Sequence, residues 1–241
     1  MGEARKGQAA KGHAPKSSSK RPPVKKGPKN LIIFTTILVG LFVLLVVLNQ
    51  ATKDPVTVAL DSTPDITNQP VEGSQDAKVT IVEFGDYMCP SCKLWGEQIY
   101  PKLQKDYIET GKAKFAYINV LFHNESGVGA LASESVLAQN PDAFWPFHKA
   151  LFDAQPSVNH DEPWLTKEKV LEVAGKVQPA IDTDKMKADM EADAAKTQVD
   201  LDEKLVKDFK ISSTPTIMIN NVKLDNPFDY DAIVKLIEEQ L

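Results

Sequence analysis

The chain has 241 residues, 42% of them hydrophobic and 25% charged, with a formal net charge of −5. That is an ordinary globular composition, long enough to bury a core without disulfide staples. The small net charge conceals an asymmetry: residues 1–30 carry nine Lys or Arg against the single acid Glu3, and the remainder is strongly acidic. A basic arm on an acidic body suits nucleic-acid binding or a membrane surface, and the residues that follow favour the membrane.

Residues 31–48, Leu-Ile-Ile-Phe-Thr-Thr-Ile-Leu-Val-Gly-Leu-Phe-Val-Leu-Leu-Val-Val-Leu, hold no charge, and the uncharged run extends to Thr52. At 1.5 Å per residue a helix of about 20 residues crosses roughly 30 Å of hydrocarbon. A cleaved signal peptide has a shorter apolar stretch and a shorter basic leader. Asn49-Gln50-Ala51 makes a poor cleavage site, and no cysteine follows to accept a lipid. The expectation is a single uncleaved transmembrane helix over 31–49. Because the basic flank precedes it, residues 1–30 are expected to be a disordered cytoplasmic tail touching anionic lipid, not nucleic acid. The rest of the chain is then extracytoplasmic, where disulfides persist.

Residues 50–65 are polar and proline-interrupted and read as a linker leading to an edge strand. Ala77–Phe84 is β-branched and apolar, as in a strand buried on both faces. Tyr87-Met-Cys-Pro-Ser-Cys92 follows directly, and then a helical pattern through Leu94, Trp95, Ile99, Leu103 and Tyr107 that closes at Gly111. Lys114–Leu121 reads as a second strand, completing a βαβ unit. From 126 to 194 the signals are helical only, over 127–139, 142–154, 166–176 and 182–192. A further helix over 195–209 precedes a strand entered through Pro215, a turn at Asn220-Asn221, a short strand at 222–224 and a closing helix at 229–240.

Cys89 and Cys92 are the only cysteines in the chain. A structural zinc site wants four ligands, yet there is no second pair, and His123, His148 and His160 are too far apart in sequence to form one. Haem attachment wants histidine at position 93, which is lysine. An inert disulfide closing so short a loop removes little chain entropy. A redox couple explains the placement better. A sulfur at a helix start is stabilised as thiolate, and a partner one turn inside is shielded and can resolve a mixed disulfide. The aromatic run around His148 reads as helix packing, and Asp182, Asp184, Asp189, Glu191 and Asp193 as a solvated helix face that matches no calcium loop.

Val79-Thr-Ile-Val-Glu-Phe-Gly-Asp-Tyr-Met-Cys-Pro-Ser-Cys92, with Thr214-Pro215 entering a late strand, resembles the DsbA-like branch of the thioredoxin superfamily. It is most similar to the membrane-anchored BdbD type of Gram-positive bacteria. The resemblance covers about 66–241. It implies an α/β thioredoxin fold in two parts, 66–125 and 195–241, interrupted by an all-helical domain at 126–194 and preceded by the transmembrane helix. By that resemblance Cys89 attacks and is attacked, Cys92 resolves, Glu83 is a buried acid that relays the Cys92 proton, and Pro215 is the cis-proline packed against the disulfide. Thr214, Pro90 and Ser91 are implied to contact substrate. No metal and no cofactor beyond the Cys89–Cys92 disulfide is implied.

The activity expected is a monomeric, extracytoplasmic thiol:disulfide oxidase. It would act on reduced or unfolded secreted polypeptides and be reoxidised by an integral-membrane, quinone-linked, DsbB-like partner. The Pro-Ser dipeptide lacks the histidine of Cys-Pro-His-Cys and leaves direction open. The alternatives are an outward-facing reductase, for example in cytochrome c maturation, and a chaperone-like peptide-binding module with incidental redox chemistry.

Overall fold

The computed structural model describes residues 29–51, 57–157 and 163–241. The expected basic tail up to residue 28, part of the linker and His160 lie outside the described residues. The chain divides into two units after residue 53. The first contains one helix, α1 (Lys29–Ala51). From 33 to 45, where its side chains are described, α1 is exposed throughout. Among the described residues no helix is long and apolar enough to cross a membrane, so the anchor expected over 31–49 does not follow from them.

The second unit is built on a six-stranded sheet. Its strands are β1 (Thr57–Ala59), β2 (Val71–Gly73), β3 (Val79–Gly85), β4 (Ala113–Asn119), β5 (Thr216–Ile219) and β6 (Val222–Leu224), in the order β1-β6-β5-β3-β4-β2. β3 runs parallel to β4 and antiparallel to β5, with Glu83 beside Tyr117 on one side and Ile217 on the other. The stretch expected to be linker thus contains a strand: β1 pairs with β6 from Thr57 to Ala59 and caps that edge of the sheet. Only three residues long, it carries too little alternation to be read from sequence.

Between β3 and β4 lie α2 (Pro90–Gln98), α3 (Tyr100–Leu103) and one π-helical turn over Gln104–Ile108, where a single helix was expected. Pro101 supplies the reason, because its ring nitrogen cannot continue the hydrogen-bond ladder. The helical block comprises α4 (Ser126–Gln139), α5 (Pro141–Asp153), α6 (Lys167–Ala174) and α7 (Thr183–Asp189). Side chains start three of them. Asn140, Thr166 and Asp182 accept the amides of Asp142, Lys169 and Lys185. α8 (Asp193–Asp208) returns the chain to the sheet, and α9 (Tyr230–Glu238) closes it.

β3 is buried on both faces, as its unbroken apolar run requires. Val79 and Ile81 pack with Trp95, Phe115, Ile233 and Ile237 on one face, while Val82 and Phe84 pack with Ile118 and Phe209 on the other. A third core, inside the helical block, reaches Tyr87, Cys89, Cys92 and Tyr117 and joins the block to the end of β3. A buried polar knot reinforces that junction. Asn119 donates to Glu134 at 3.1 Å and to Asp202 at 2.9 Å, and Gln69 donates to Asp202 at 2.6 Å, tying β4 to α4 and α8.

Gly85, the last residue of β3, is required by close approach. A Cβ there would lie 2.4 Å from Cε2 of Tyr117 and 3.0 Å from Oε1 of Glu83. Gly85→Ala is therefore expected to destabilise the chain by about 1–3 kcal/mol, read as a lower urea midpoint at unchanged slope. An unaltered midpoint would mean that the Tyr117 ring yields freely.

Candidate active site

The end of β3 turns into α2 within four residues, and one carboxylate governs the turn. Oδ1 of Asp86 accepts the Met88 amide at 2.8 Å, while the Asp86 carbonyl accepts the Cys89 amide at 2.9 Å. Oδ2 of Asp86 takes the Phe122 amide at 3.1 Å, the Ser126 hydroxyl at 2.8 Å and His123 Nδ1 at 2.8 Å, so the loop after β4 is bound to the same buried group. Sequence reasoning missed Asp86. The available signal was an Asp two residues before a short turn, where its side chain bonds the chain ahead.

This turn delivers Cys89 as the N-cap of α2, with Pro90 in the first helical position, where a missing N–H is harmless. Cys89 is 7% exposed and Cys92 1%, so the first sulfur is the more accessible but is less open than a bare helix start suggests. In the thiol form Cys89 donates to the carbonyl of Thr214 at 3.4 Å, across the Thr214-Pro215 bond, which is cis. Pro215 is buried, Thr214 half-buried, and Pro90 and Ser91 are exposed beside the sulfur. The backbone amide of Asp86 reaches Cys92 Sγ at 3.5 Å. The expected residues therefore meet: Thr214 with Cys89 through a hydrogen bond, Cys92 with Cys89 through the helix turn, and Glu83 with Cys92 as walls of one cavity.

The two thiols are pushed in opposite directions. The Cys89 pKa is lowered from 9.0 to about 5, chiefly because the Cys92 thiol donates to it. Burial opposes this, and Thr214 and the backbone amides of Cys92 and Ser91 add to it. Cys92 is raised well above its ordinary value by burial, by its hydrogen bond to Cys89 and by the nearby Glu83 charge. Burial also raises the Glu83 carboxyl, with the Cys89 charge adding to it, and Glu83 Oε1 has no hydrogen-bond partner. Glu83 and Cys92 open onto a cavity of about 570 Å³ walled by Trp95, Phe115, Trp145 and Phe152. At pH 7 the arrangement favours a thiolate at Cys89 and a thiol at Cys92, with a carboxyl behind them that burial biases towards its protonated form.

His148 belongs to the packing. Its Nδ1 is 3.0 Å from the Tyr87 hydroxyl among Tyr117, Phe144 and Phe152, and burial lowers its pKa to about 3, keeping it neutral. Trp95 is core, donating from Nε1 to the Pro227 carbonyl at 2.8 Å. Among the described residues, no group of three or more His, Cys, Asp or Glu side chains could hold a metal ion.

The family model described as Thioredoxin matches residues 65–239. Disulfide bond formation protein D of Bacillus subtilis is 42% identical over 184 residues, covering 76% of this chain and 82% of that protein. The chain belongs to the thioredoxin family. Within it, the chain is a DsbA-like thiol:disulfide oxidoreductase, whose working group is a redox-active cysteine disulfide. The crystal structure of oxidised BdbD from B. subtilis superposes with a TM-score of 0.71 at 41% identity, covering 76% of this chain and 97% of that one. Probable disulfide bond formation protein D of Bacillus anthracis is 34% identical, over 70% of this chain and 76% of that protein. DsbA of Chlamydia trachomatis shares the fold at 19% identity, with a TM-score of 0.64 over 77% of this chain and 96% of that one.

In this thioredoxin-family chain the thiol pKa values set a pH dependence. A lowered thiol stabilises the folded, reduced protein above its unfolded value, and that stabilisation is lost as pH falls through about 5. The disulfide form lacks this ionisation and shares the other titrating side chains. The melting temperature of the reduced form minus that of the oxidised form should therefore rise between pH 5 and pH 9, with a slope of about one proton. A difference that does not change with pH would contradict a Cys89 thiolate.

Proposed function

We propose that this protein is an oxidase that donates the Cys89–Cys92 disulfide to secreted or cell-surface polypeptides outside the cytoplasm. The observation that carries the reading is the Cys89 thiol, lowered to about 5 beside a shielded Cys92. Whatever stabilises the reduced pair makes the disulfide a stronger oxidant. A substrate thiolate attacks Cys89 Sγ, the Cys89–Cys92 bond breaks, and Cys92 leaves and takes up a proton. Glu83, biased by burial towards its protonated form and on the same cavity as Cys92, supplies that proton. The second substrate thiolate then attacks the substrate sulfur of the mixed disulfide and expels Cys89 as a stable thiolate. Substrate leaves oxidised by two electrons and the enzyme reduced by two. Thr214 aligns the substrate chain through its main chain, Pro215 packs against the sulfurs, and Pro90 and Ser91 present the exposed rim.

The uncharged run 31–48 and its basic leader support a membrane anchor at 31–49, with residues 1–30 cytoplasmic and the enzyme outside. The division is then 50–65 linker, 66–125 and 195–241 thioredoxin parts and 126–194 helical insertion. A monomer held at the membrane is suited to reoxidation by an integral-membrane, DsbB-like, quinone-linked partner.

The full chain in detergent, equilibrated in glutathione buffers and trapped, is expected to show a potential above roughly −160 mV, towards the about −120 mV of strong oxidants. A value below about −250 mV would replace the oxidase by a reductase. Cys89→Ala separates the binding-module alternative: oxidation of a reduced substrate should vanish, and folding assistance that survives intact would make the redox couple incidental.

A further inference from the structure

Gln155 lies two residues beyond α5, in the helical insertion, and is 5% exposed. Its single amide nitrogen donates to the carbonyls of Tyr87 at 2.8 Å and Cys89 at 3.1 Å. Both N–H groups of a planar amide are thus spent on the two carbonyls that flank Met88. This fixes the curvature of the turn, since both carbonyls must face the insertion. The backbone carbonyl of Gln155 in turn accepts Lys93 Nζ, on the first turn of α2, at 3.3 Å. Without the side-chain donor, the Cys89 carbonyl keeps only a long 3.4 Å bond from the Lys93 amide, and the Tyr87 carbonyl loses its donor in a residue that is 1% exposed.

We propose that Gln155 is a positioning residue through which the helical insertion holds the N-cap of α2 and thereby tunes the reactivity of Cys89. The physical link is the Cys89 backbone, at φ −78° and ψ 118°. Those angles direct Sγ over the start of α2, within reach of Cys92, of the Ser91 and Cys92 amides and of the Thr214 carbonyl. Holding the Cys89 carbonyl fixes ψ. Donation to that carbonyl also withdraws electron density from the N-cap peptide, in the direction that favours a negative sulfur. Gln155 acts through the backbone and touches neither sulfur.

The role rests on the oxidoreductase assignment and not on the direction of electron flow. Its test reads the Cys89 ionisation, so it can fail while the oxidase reading stands, and the converse. Gln155→Met keeps the length and apolar stem and removes both donors. In the reduced full chain, the midpoint of the pH profile for iodoacetamide reaction at Cys89 is expected to rise by about half a unit or more. That makes the reaction roughly two- to threefold slower at pH 4.5 and leaves it unchanged at pH 9. Tyr87→Phe is the control: it cuts the 3.0 Å contact with His148, a second tie between the same turn and the same insertion, without touching the two carbonyls. It should leave the profile in place. A Gln155→Met profile that overlays the wild type, with or without a lower melting temperature, would overturn the proposal and reduce Gln155 to a structural tie. A profile moved equally by both variants would overturn it too. Should Gln155→Met fail to fold, NMR of the wild type decides: the Gln155 side-chain amide protons should be protected from exchange and shift with the Cys89 midpoint. Free exchange, or no shift, rejects it.

Discussion

One hydrogen bond organises this molecule's chemistry: the Cys92 thiol donating to the Cys89 sulfur at the start of α2. It holds the first sulfur as an anion and keeps the second protonated, so two identical side chains three residues apart become a stable leaving group and a reserve. The bond depends on geometry that other elements impose. β3 must end where Asp86 can gather the turn, α2 must begin at Cys89, and the Thr214 side chain must lie where it lowers the Cys89 thiol. Displacing any of the three would leave the cysteines present and the asymmetry weakened.

The sheet supplies rigidity and the insertion supplies the lining. β3 has apolar neighbours on both faces, and the redox turn hangs from its end. Glu83 sits there at a cost, since a buried carboxyl without a full set of partners is tolerable only when neutral. Gly85 makes room for it and for the Tyr117 ring. The helical block contributes Trp145 and Phe152 to the aromatic wall of the cavity shared by Glu83 and Cys92, and the amide of Gln155, so it is part of the redox site and not a lid laid over a finished one.

Much of this was legible in the residues. The unbroken apolar run of β3, the Cys-Pro-Ser-Cys turn, the late Thr214-Pro215 and the proline-separated helices between 126 and 194 each carry a local signal, and the structure puts them where that signal points. The rest was hidden for physical reasons. β1 is too short to show a period. The break at Ile99 follows from Pro101, which the apolar spacing around it masked. Asp86 was missed because its three contacts with the loop after β4 are visible only once that loop is in place. Gln155 gave no signal, because its contacts span 66 and 68 residues of sequence.

The measurement that bears most directly on this account is the thiolate absorbance of the reduced full chain, followed from pH 3 to pH 10. With only two thiols in the sequence, no other cysteine can contribute. One thiolate should appear with a midpoint near 5, and the second should stay protonated to the alkaline end of the range. Two thiols titrating together near the ordinary cysteine value of about 8.5 would contradict it.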